Sequence, residues 1–249
     1  MKVKGLIIAS AGVLIAAGAA VGTSAQPVSP TRHAPRVVVR SGPVVVELFT
    51  AQGCSGCPEA NQVVETLAEE PGVIALTYAV DYWDYLGWPD TFARPEFAQR
   101  QRAYQSAMRL RGVYTPQIII DGHRQMSGSR RNDVQVAIEE EGARRAFPPQ
   151  IEFREAGDRV GIGSGRPPQG GADVWAVVYR PGPQSVTVNG GDNRGRVVRH
   201  INVVSSLQRL GAWTGRPVLY SLPDSEANET VAVMVQARSD RRILTAATL

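Results

Sequence analysis

The first half of the chain alternates between two patterns of apolar residues. The runs from Val44 to Phe49 and from Val73 to Val80 are almost wholly apolar, as expected for strands that are covered on both faces. Between the two runs, apolar residues recur at helical spacing, at Ala60, Val63, Val64 and Leu67. The pattern therefore predicts a strand, a helix and a second strand.

Alternating strands and helices are predicted as far as residue 147. Residues 96–110 carry a second helical stripe, and Asp121-Gly122 separates two β-rich runs, which is a hairpin signal. A third helix is expected after Asn132 or Asp133. The order β-α-β-α-β-β-α is that of a thioredoxin-like α/β domain.

The pattern changes at Phe147. From there to Leu249, short β-rich runs alternate with Gly and Pro turns, and only Ser205 to Leu210 suggests a helical turn. This texture predicts a small all-β, sandwich-like module. We therefore expect a thioredoxin-like domain over residues 37–147, followed by a β-rich domain over residues 148–249.

The N-terminus has the layout of a secretory signal peptide. Lys2 and Lys4 precede an apolar run from Gly5 to Val21, and small residues follow at 23–25. An uncleaved anchor is the alternative, since the run is close to the shortest length that spans a bilayer. We expect a signal over residues 1–25, a Pro-rich linker over residues 26–36, and a periplasmic or secreted protein.

Charge and composition exclude several classes of function. The formal net charge is +4, and Lys2 and Lys4 of the expected signal supply two of these charges. The remaining charges are nearly balanced, which gives no indication of a nucleic acid or an anionic membrane as a partner. The sequence also lacks a phosphate-binding glycine loop and a recognisable Ser-His-Asp arrangement.

The chain has two cysteines, Cys54 and Cys57, at the junction of the first strand and the first helix. A helix N-terminus favours a thiolate, so Cys54 is the candidate nucleophile and Cys57 the resolving thiol. Ser55 and Gly56 are small and allow close approach of a partner's backbone. The alternatives are a static disulfide, although so short a loop constrains the unfolded chain little, and a metal site for Cu(I) or zinc.

Several segments resemble a family of bacterial secreted proteins of unknown function with a thioredoxin-like region. They are VELFTAQGCSGCPEA, VDYWDYLGWPDTFA, RQRAY, VYTPQIIIDG and GDNRGRVVRHINVVSSLQRLG. The resemblance implies membership of the thioredoxin superfamily and a thiol–disulfide role for Cys54, Cys57 and Pro116. In such folds a cis-proline faces the cysteine pair, and the backbone of the preceding residue, here Thr115, binds an extended substrate as an added strand. An ordinary trans-proline that opens a strand is the alternative.

Further candidates surround the cysteine pair. Glu47 lies on the first strand, and a buried carboxylate there would shuttle the proton of Cys57; the alternative is a solvent-facing carboxylate or one paired with an Arg. Trp83 and Trp88 lie in an aromatic loop that would bind peptide beside the disulfide. The plainer interpretation is that this loop folds back and fills the core.

The sequence thus predicts an exported protein that exchanges thiols and disulfides with protein or peptide substrates and with a redox partner. No organic cofactor and no resident metal are expected, since the dithiol itself carries two electrons. Two other functions remain open: a non-enzymatic binding protein with a fixed Cys54–Cys57 disulfide, and a Cu(I)-handling protein.

Overall fold

The computed structural model describes residues 42–144 and 148–249. The expected signal and linker lie outside this part of the chain. The described residues belong to one compact unit, and none of their helices is long and apolar enough to cross a membrane.

The N-terminal half contains the elements that its apolar pattern predicts. In chain order they are β1 (Val44–Thr50), α1 (Cys57–Ala68), β2 (Val73–Ala79), α2 (Pro95–Ala107), β3 (Gln117–Ile120), β4 (Arg124–Ser127) and α3 (Arg131–Arg144). A short 3₁₀ turn, Asp84–Leu86, lies between β2 and α2.

The C-terminal half contains strands in its described part. They are β5 (Ile151–Phe153), β6 (Arg159–Ile162), β7 (Ala172–Thr187), β8 (Val197–Trp213), β9 (Val218–Ser221), β10 (Thr230–Ala237) and β11 (Ile243–Thr248). A second 3₁₀ turn, Gly191–Asn193, joins β7 to β8. Residues Ser205 to Leu210 lie inside β8, so the expected helical turn is wrong.

The predicted fold class, an α/β thioredoxin-like domain followed by a small all-β, sandwich-like module, is also wrong. The two halves share one mixed sheet of eight strands in the order β11-β10-β7-β8-β2-β1-β3-β4, and a second sheet of three strands has the order β5-β6-β9. The protein is therefore mostly β. The four strands and three helices of the N-terminal half do not form an α/β domain of their own, because β7, β8, β10 and β11 extend the sheet that β1 and β2 begin.

Strand β8 makes the connection between the halves. It lies parallel to β2 with one bridge, Thr77 to Val203, and the Thr77 hydroxyl donates to the carbonyl of Ile201 at 2.6 Å. The side chain of Asn202 donates to the carbonyl of Ala75 at 2.9 Å. Without β8, the apolar strand β2 would present an open edge, which sheets avoid. That requirement is non-local, and the sequence pattern of either half does not reveal it.

The core has three parts. Side chains of α1 and α3 pack on one face of β1 and β3, and α2 packs on the other face of β1, against residues of β7, β10 and β11. The three-stranded sheet covers the outer face of β7 and β10 around the buried Trp213. The strands β1 and β2 are thus buried on both faces, and the loops that follow them carry the candidate site.

Candidate functional site

Cys54 and Cys57 form a disulfide at the start of α1, with Cα atoms 5.4 Å apart. Cys57 is the first residue of the helix, and Pro58 follows in the first turn, where its missing N–H costs little. The preceding loop continues from the carboxyl end of β1, which lies beside that of the parallel strand β2. Sheets of parallel strands commonly carry their sites at this end.

The disulfide is covered. Cys54 is 2% exposed and Cys57 is fully buried, whereas Ser55 and Gly56 between them are exposed. A partner can thus reach the backbone of residues 55 and 56 directly. The two cysteines themselves offer almost no surface to solvent.

Pro116 lies beside the cysteine loop. A Cβ atom built on Gly56 would lie 3.6 Å from Cδ of Pro116, so the proline ring and the Cys54–Cys57 turn are in near contact. The Thr115–Pro116 peptide bond is cis. The structure thus places Thr115 and Pro116 beside the loop that carries Cys54, Ser55, Gly56 and Cys57.

The two candidate tryptophans are held by hydrogen bonds around the same loop. Nε1 of Trp83 donates to the Thr115 hydroxyl at 2.8 Å, and Nε1 of Trp88 donates to Oε1 of Gln52 at 2.8 Å. Trp83 also packs against the core. Their loop therefore folds back onto the protein, and Tyr85, 79% exposed, is the aromatic side chain that it presents to solvent. Substrate binding by Trp83 and Trp88 stays a prediction.

Glu47 is fully buried and faces α2. Its carboxylate accepts from Nε and Nη2 of Arg100 at 2.6 and 3.1 Å and from the Tyr104 hydroxyl. Burial lowers the pKa of Arg100, but the charge of Glu47 outweighs it and raises this pKa above its ordinary value. Pairing with an Arg is the alternative that the sequence left open for this residue. The proton-shuttle role of Glu47 stays a prediction.

Three polar residues around the cysteines were not singled out by the sequence. Gln52 is fully buried, and its backbone N–H donates to Oδ2 of Asp90 at 2.6 Å. Burial raises the pKa of Asp90 to about 6. Asn193, also fully buried, donates from Nδ2 to the carbonyl oxygens of Gln52 and Cys54. Asn193 lies in the segment GGDNRGR, whose glycines and charged residues predict a surface turn. The residues that bury Asn193 are about 140 positions away in sequence, so no local pattern reveals its burial.

A buried histidine lies near the same helix. His200 is 1% exposed, and its Nδ1 lies 3.2 Å from Nδ2 of Asn61 on α1. Its Nε2 has no hydrogen-bond partner among the described residues. Burial lowers the pKa of His200 to about 4, so the ring is neutral at pH 7.

The described residues contain no group of three or more His, Cys, Asp or Glu side chains that would hold a metal ion. A two-coordinate Cu(I) site needs only two thiolates, so that alternative depends on the reduced cysteines alone.

Comparison with known proteins identifies the family. A sequence model described as protein of unknown function (DUF1223) matches residues 45–236. The chain belongs to this family. The match confirms the expected family of unknown function, whereas the thioredoxin-like fold that the resemblance implied is not confirmed. No curated protein matches the chain in sequence.

Two solved structures are similar to this DUF1223 protein. An X-ray crystal structure of an Agrobacterium tumefaciens protein is 34% identical, with a TM-score of 0.68, over 84% of this chain and 94% of that one. HBP35 of Porphyromonas gingivalis is 13% identical, with a TM-score of 0.55, over 84% of this chain and 75% of that one. At that identity, the second likeness concerns the fold alone.

Proposed function

We propose that this protein is an exported thiol–disulfide exchange protein that acts on protein or peptide thiols through Cys54 and Cys57. One observation carries the proposal. The two cysteines of the chain are joined at the N-terminus of a helix that follows a central strand, with the Pro116 ring beside the intervening residues. When a disulfide at a helix N-terminus is reduced, the helix dipole stabilises the cysteine thiolate there.

The electrons of the exchange step pass between the substrate thiols and the two cysteines. A substrate thiolate attacks Sγ of Cys54, the Cys54–Cys57 bond breaks, and Cys57 leaves with the electron pair and takes up a proton. A second substrate thiolate then attacks the substrate sulfur of the mixed disulfide, and Cys54 leaves with the electron pair as a thiolate, which the helix N-terminus favours. The net reaction oxidises two substrate thiols to a disulfide and reduces the Cys54–Cys57 pair by two electrons.

The remaining parts of the proposal follow from this chemistry. The exposed backbone of Ser55 and Gly56, with Thr115 and Pro116 opposite, would receive an extended substrate segment. A redox partner would restore the Cys54–Cys57 disulfide. The signal-like N-terminus supports a periplasmic or secreted location, where disulfides persist.

Glu47 enters the proposal as the proton shuttle of Cys57, which passes a proton to the leaving thiolate and takes it back when the disulfide is restored. The competing role is a purely structural pair with Arg100. Replacement Glu47→Gln separates the two roles. A proton shuttle sets the pH at which exchange accelerates, so the variant would shift the pH profile of the rate. A purely structural ion pair would lower stability and leave that profile in place.

A second function is favoured by a different observation. Because Cys54 is only 2% exposed, the disulfide has the burial of a structural bond. The protein would then be a non-enzymatic binding protein in which the exposed Tyr85 and the rest of its aromatic loop contact the partner. Cu(I) handling is a third alternative, and failure of the reduced protein to bind Cu(I) would exclude it.

The deciding experiment is the reduction potential of the Cys54–Cys57 pair, measured by equilibration with glutathione buffers. We expect a value above about −230 mV, in the range of exchange catalysts. A value below about −300 mV is typical of structural disulfides and would favour the binding protein. Cys57→Ala would then trap mixed disulfides with substrates through Cys54, and Cys54→Ala is the matched control, which removes the sulfur that forms the mixed disulfide.

A further inference from the structure

The turn that joins β7 to β8 lies directly on the cysteine loop. We call residues Val188–Arg196 the cover turn. It is closed by hydrogen bonds of its own, since the N–H of Val188 donates to the carbonyl of Arg196 at 2.9 Å and that of Gly195 to Val188 at 2.8 Å. The turn is therefore a small preformed unit at the end of a long hairpin.

Three consecutive carbonyl groups of the cysteine loop accept hydrogen bonds from the cover turn. Nδ2 of Asn193 donates to Gln52 at 2.9 Å and to Cys54 at 2.7 Å. The backbone N–H of Asp192 donates to Gly53 at 3.2 Å. The segment that presents Cys54 is thus held along its length by a part of the chain far away in sequence.

Glycines allow this close approach. A Cβ atom on Gly191 would lie 2.9 Å from Cα of Gly53, and Gly191 has a φ of +65°. A Cβ atom on Gly190 would lie 2.8 Å from the carbonyl oxygen of Gly87, next to Trp88. Real Cβ atoms do not come so near to backbone, so glycine at both positions is what lets the turn lie flat on the loop.

The polar and charged residues on the outside of the turn face solvent. Asp192, Arg194 and Arg196 are exposed, whereas Val188 and Asn193 are fully buried. The turn is thus anchored by two buried side chains and by backbone, and its hydrogen bonds to the cysteine loop are neutral. Such an attachment at a hairpin end can open without disturbing the strands of the core.

We propose that the cover turn is the specificity-determining element of the exchange site: it covers Cys54, and a thiol or disulfide partner reaches this sulfur only when the turn is displaced from residues 52–54. The proposal rests on the exchange function proposed above. A partner that binds the exposed turn and displaces it would react rapidly with Cys54. For a thiol that makes no such contact, the rate of reaction would be limited by spontaneous opening of the turn.

The test is the rate at which dithiothreitol reduces the full oxidised chain, followed by alkylation of the freed thiols and mass measurement. If opening of the turn limits the reaction, the rate reaches a plateau as the dithiothreitol concentration rises. Asn193→Ala removes two of the three hydrogen bonds, and we expect it to raise the plateau at least tenfold. Arg194→Ala, an exposed position of the same turn, should leave the wild-type plateau unchanged.

A second variant protects the test against misfolding of the first. Gly191→Ala displaces the turn by contact with Gly53 and leaves Asn193 intact, so it should raise the plateau as well. A linear rate whose slope rises in both variants means that opening is fast relative to reduction, and it also supports the proposal. The proposal is overturned if the rate rises linearly with dithiothreitol with the same slope in all variants, or if both changes leave the plateau at the wild-type value.

The reduction potential separates this proposal from the exchange function. Asn193 bonds to carbonyl oxygens that are present in both redox states, so Asn193→Ala should change the rates of reduction and reoxidation together and leave the potential unchanged. A potential typical of structural disulfides would refute the exchange function even if the plateau is found. A linear rate with the same slope in all variants, together with a potential typical of exchange catalysts, would refute the covering of Cys54 by the turn and leave the exchange function in place.

Discussion

Glu47 and Arg100 form an ion pair inside the protein in which two guanidinium nitrogens each contact one carboxylate oxygen, at 2.6 and 3.1 Å. The pair joins the central strand β1 to α2. Gln236 of β10 extends the network, since its Nε2 donates to the Tyr104 hydroxyl at 3.0 Å. Charged groups in the interior of the described sheet thus connect the N-terminal elements to a strand of the C-terminal half.

Removing one member of this pair should be costly. Arg100→Met leaves the buried carboxylate of Glu47 without its compensating charge, and we expect it to lower the free energy of unfolding by about 3–5 kcal/mol. Urea denaturation monitored by circular dichroism measures this loss. The double variant Glu47→Leu with Arg100→Met should lose less than Arg100→Met alone, because no uncompensated charge remains.

Arg124→Met is the matched control. Arg124 pairs with Glu140 at the surface, and exposed pairs contribute about 1 kcal/mol or less. A loss below about 1 kcal/mol for Arg100→Met would show that the interior pair is not the stabilising connection described above.

His200 should make the protein sensitive to acid. Its pKa is about 4 in the folded state, against an ordinary value of 6.5, because it is buried. The folded state therefore binds the proton less tightly than the unfolded chain, and stability is lost as the pH falls from 6.5 to 4. By linkage this loss is about 3 kcal/mol. Asp90, whose pKa is raised to about 6, acts in the opposite direction over the same range.

The variant His200→Gln isolates the histidine, since Asp90 is present in both proteins. Urea denaturation at pH 7 and at pH 4 measures how much unfolding free energy each protein loses on acidification. We expect His200→Gln to lose about 3 kcal/mol less than the wild type. The control is His123→Gln, at a half-buried position. Because it retains His200, it should still show the loss of unfolding free energy that His200 causes at low pH. An unchanged pH dependence in His200→Gln would contradict the assigned burial.

The local elements near the cysteines could be predicted from the sequence because their signals are local. Ala60, Val63, Val64 and Leu67 place one face of α1 on β1, and Asp121-Gly122 lies at the turn of the β3–β4 hairpin. The proximity of Pro116 to the cysteine loop followed from a family resemblance. These features depend on spacing within short segments, or on motifs that the chain carries intact.

The arrangement of the C-terminal half could not be predicted in the same way. Pro181 and Gly182 read as a turn, yet β7 continues past them with a shift of register between Arg180 and Pro183. Whether β8 lies beside β2 depends on Thr77 and Val203, which are distant in sequence. The contacts of Asn193 and Arg100 are equally non-local, so the residues that surround the cysteines from outside were missed.

A close approach of two turns should make Gly122 far less tolerant than another glycine with the same backbone conformation. A Cβ atom on Gly122, which has a φ of +74°, would lie 2.0 Å from the carbonyl oxygen of Arg241. Gly72 has a φ of +85° but has nothing within 4 Å. Both replacements by Ala incur the left-handed backbone penalty of about 1–2 kcal/mol.

Gly122→Ala must in addition displace the β10–β11 turn, and overpacking of this kind costs about 1–3 kcal/mol more. Urea denaturation of the two alanine variants should therefore give a clearly larger loss of unfolding free energy for Gly122→Ala. Equal losses would mean that the β3–β4 and β10–β11 turns are not in contact in solution.

Trp83 should report the redox state of the cysteine pair. It packs against the core cluster that contains Cys54 and Cys57, and its Cβ lies 3.7 Å from the position of a Cβ on Gly53. A disulfide accepts an electron from an excited indole at near contact, and a dithiol does so far less. Reduction should therefore increase the tryptophan fluorescence of the protein, and Trp83→Phe should remove most of this increase.

Trp213→Phe is the control, because Trp213 lies in the separate cluster beneath the three-stranded sheet. If the increase persists in Trp83→Phe, then another tryptophan lies nearer to the disulfide in solution, and the aromatic loop does not pack on the cysteine loop as described.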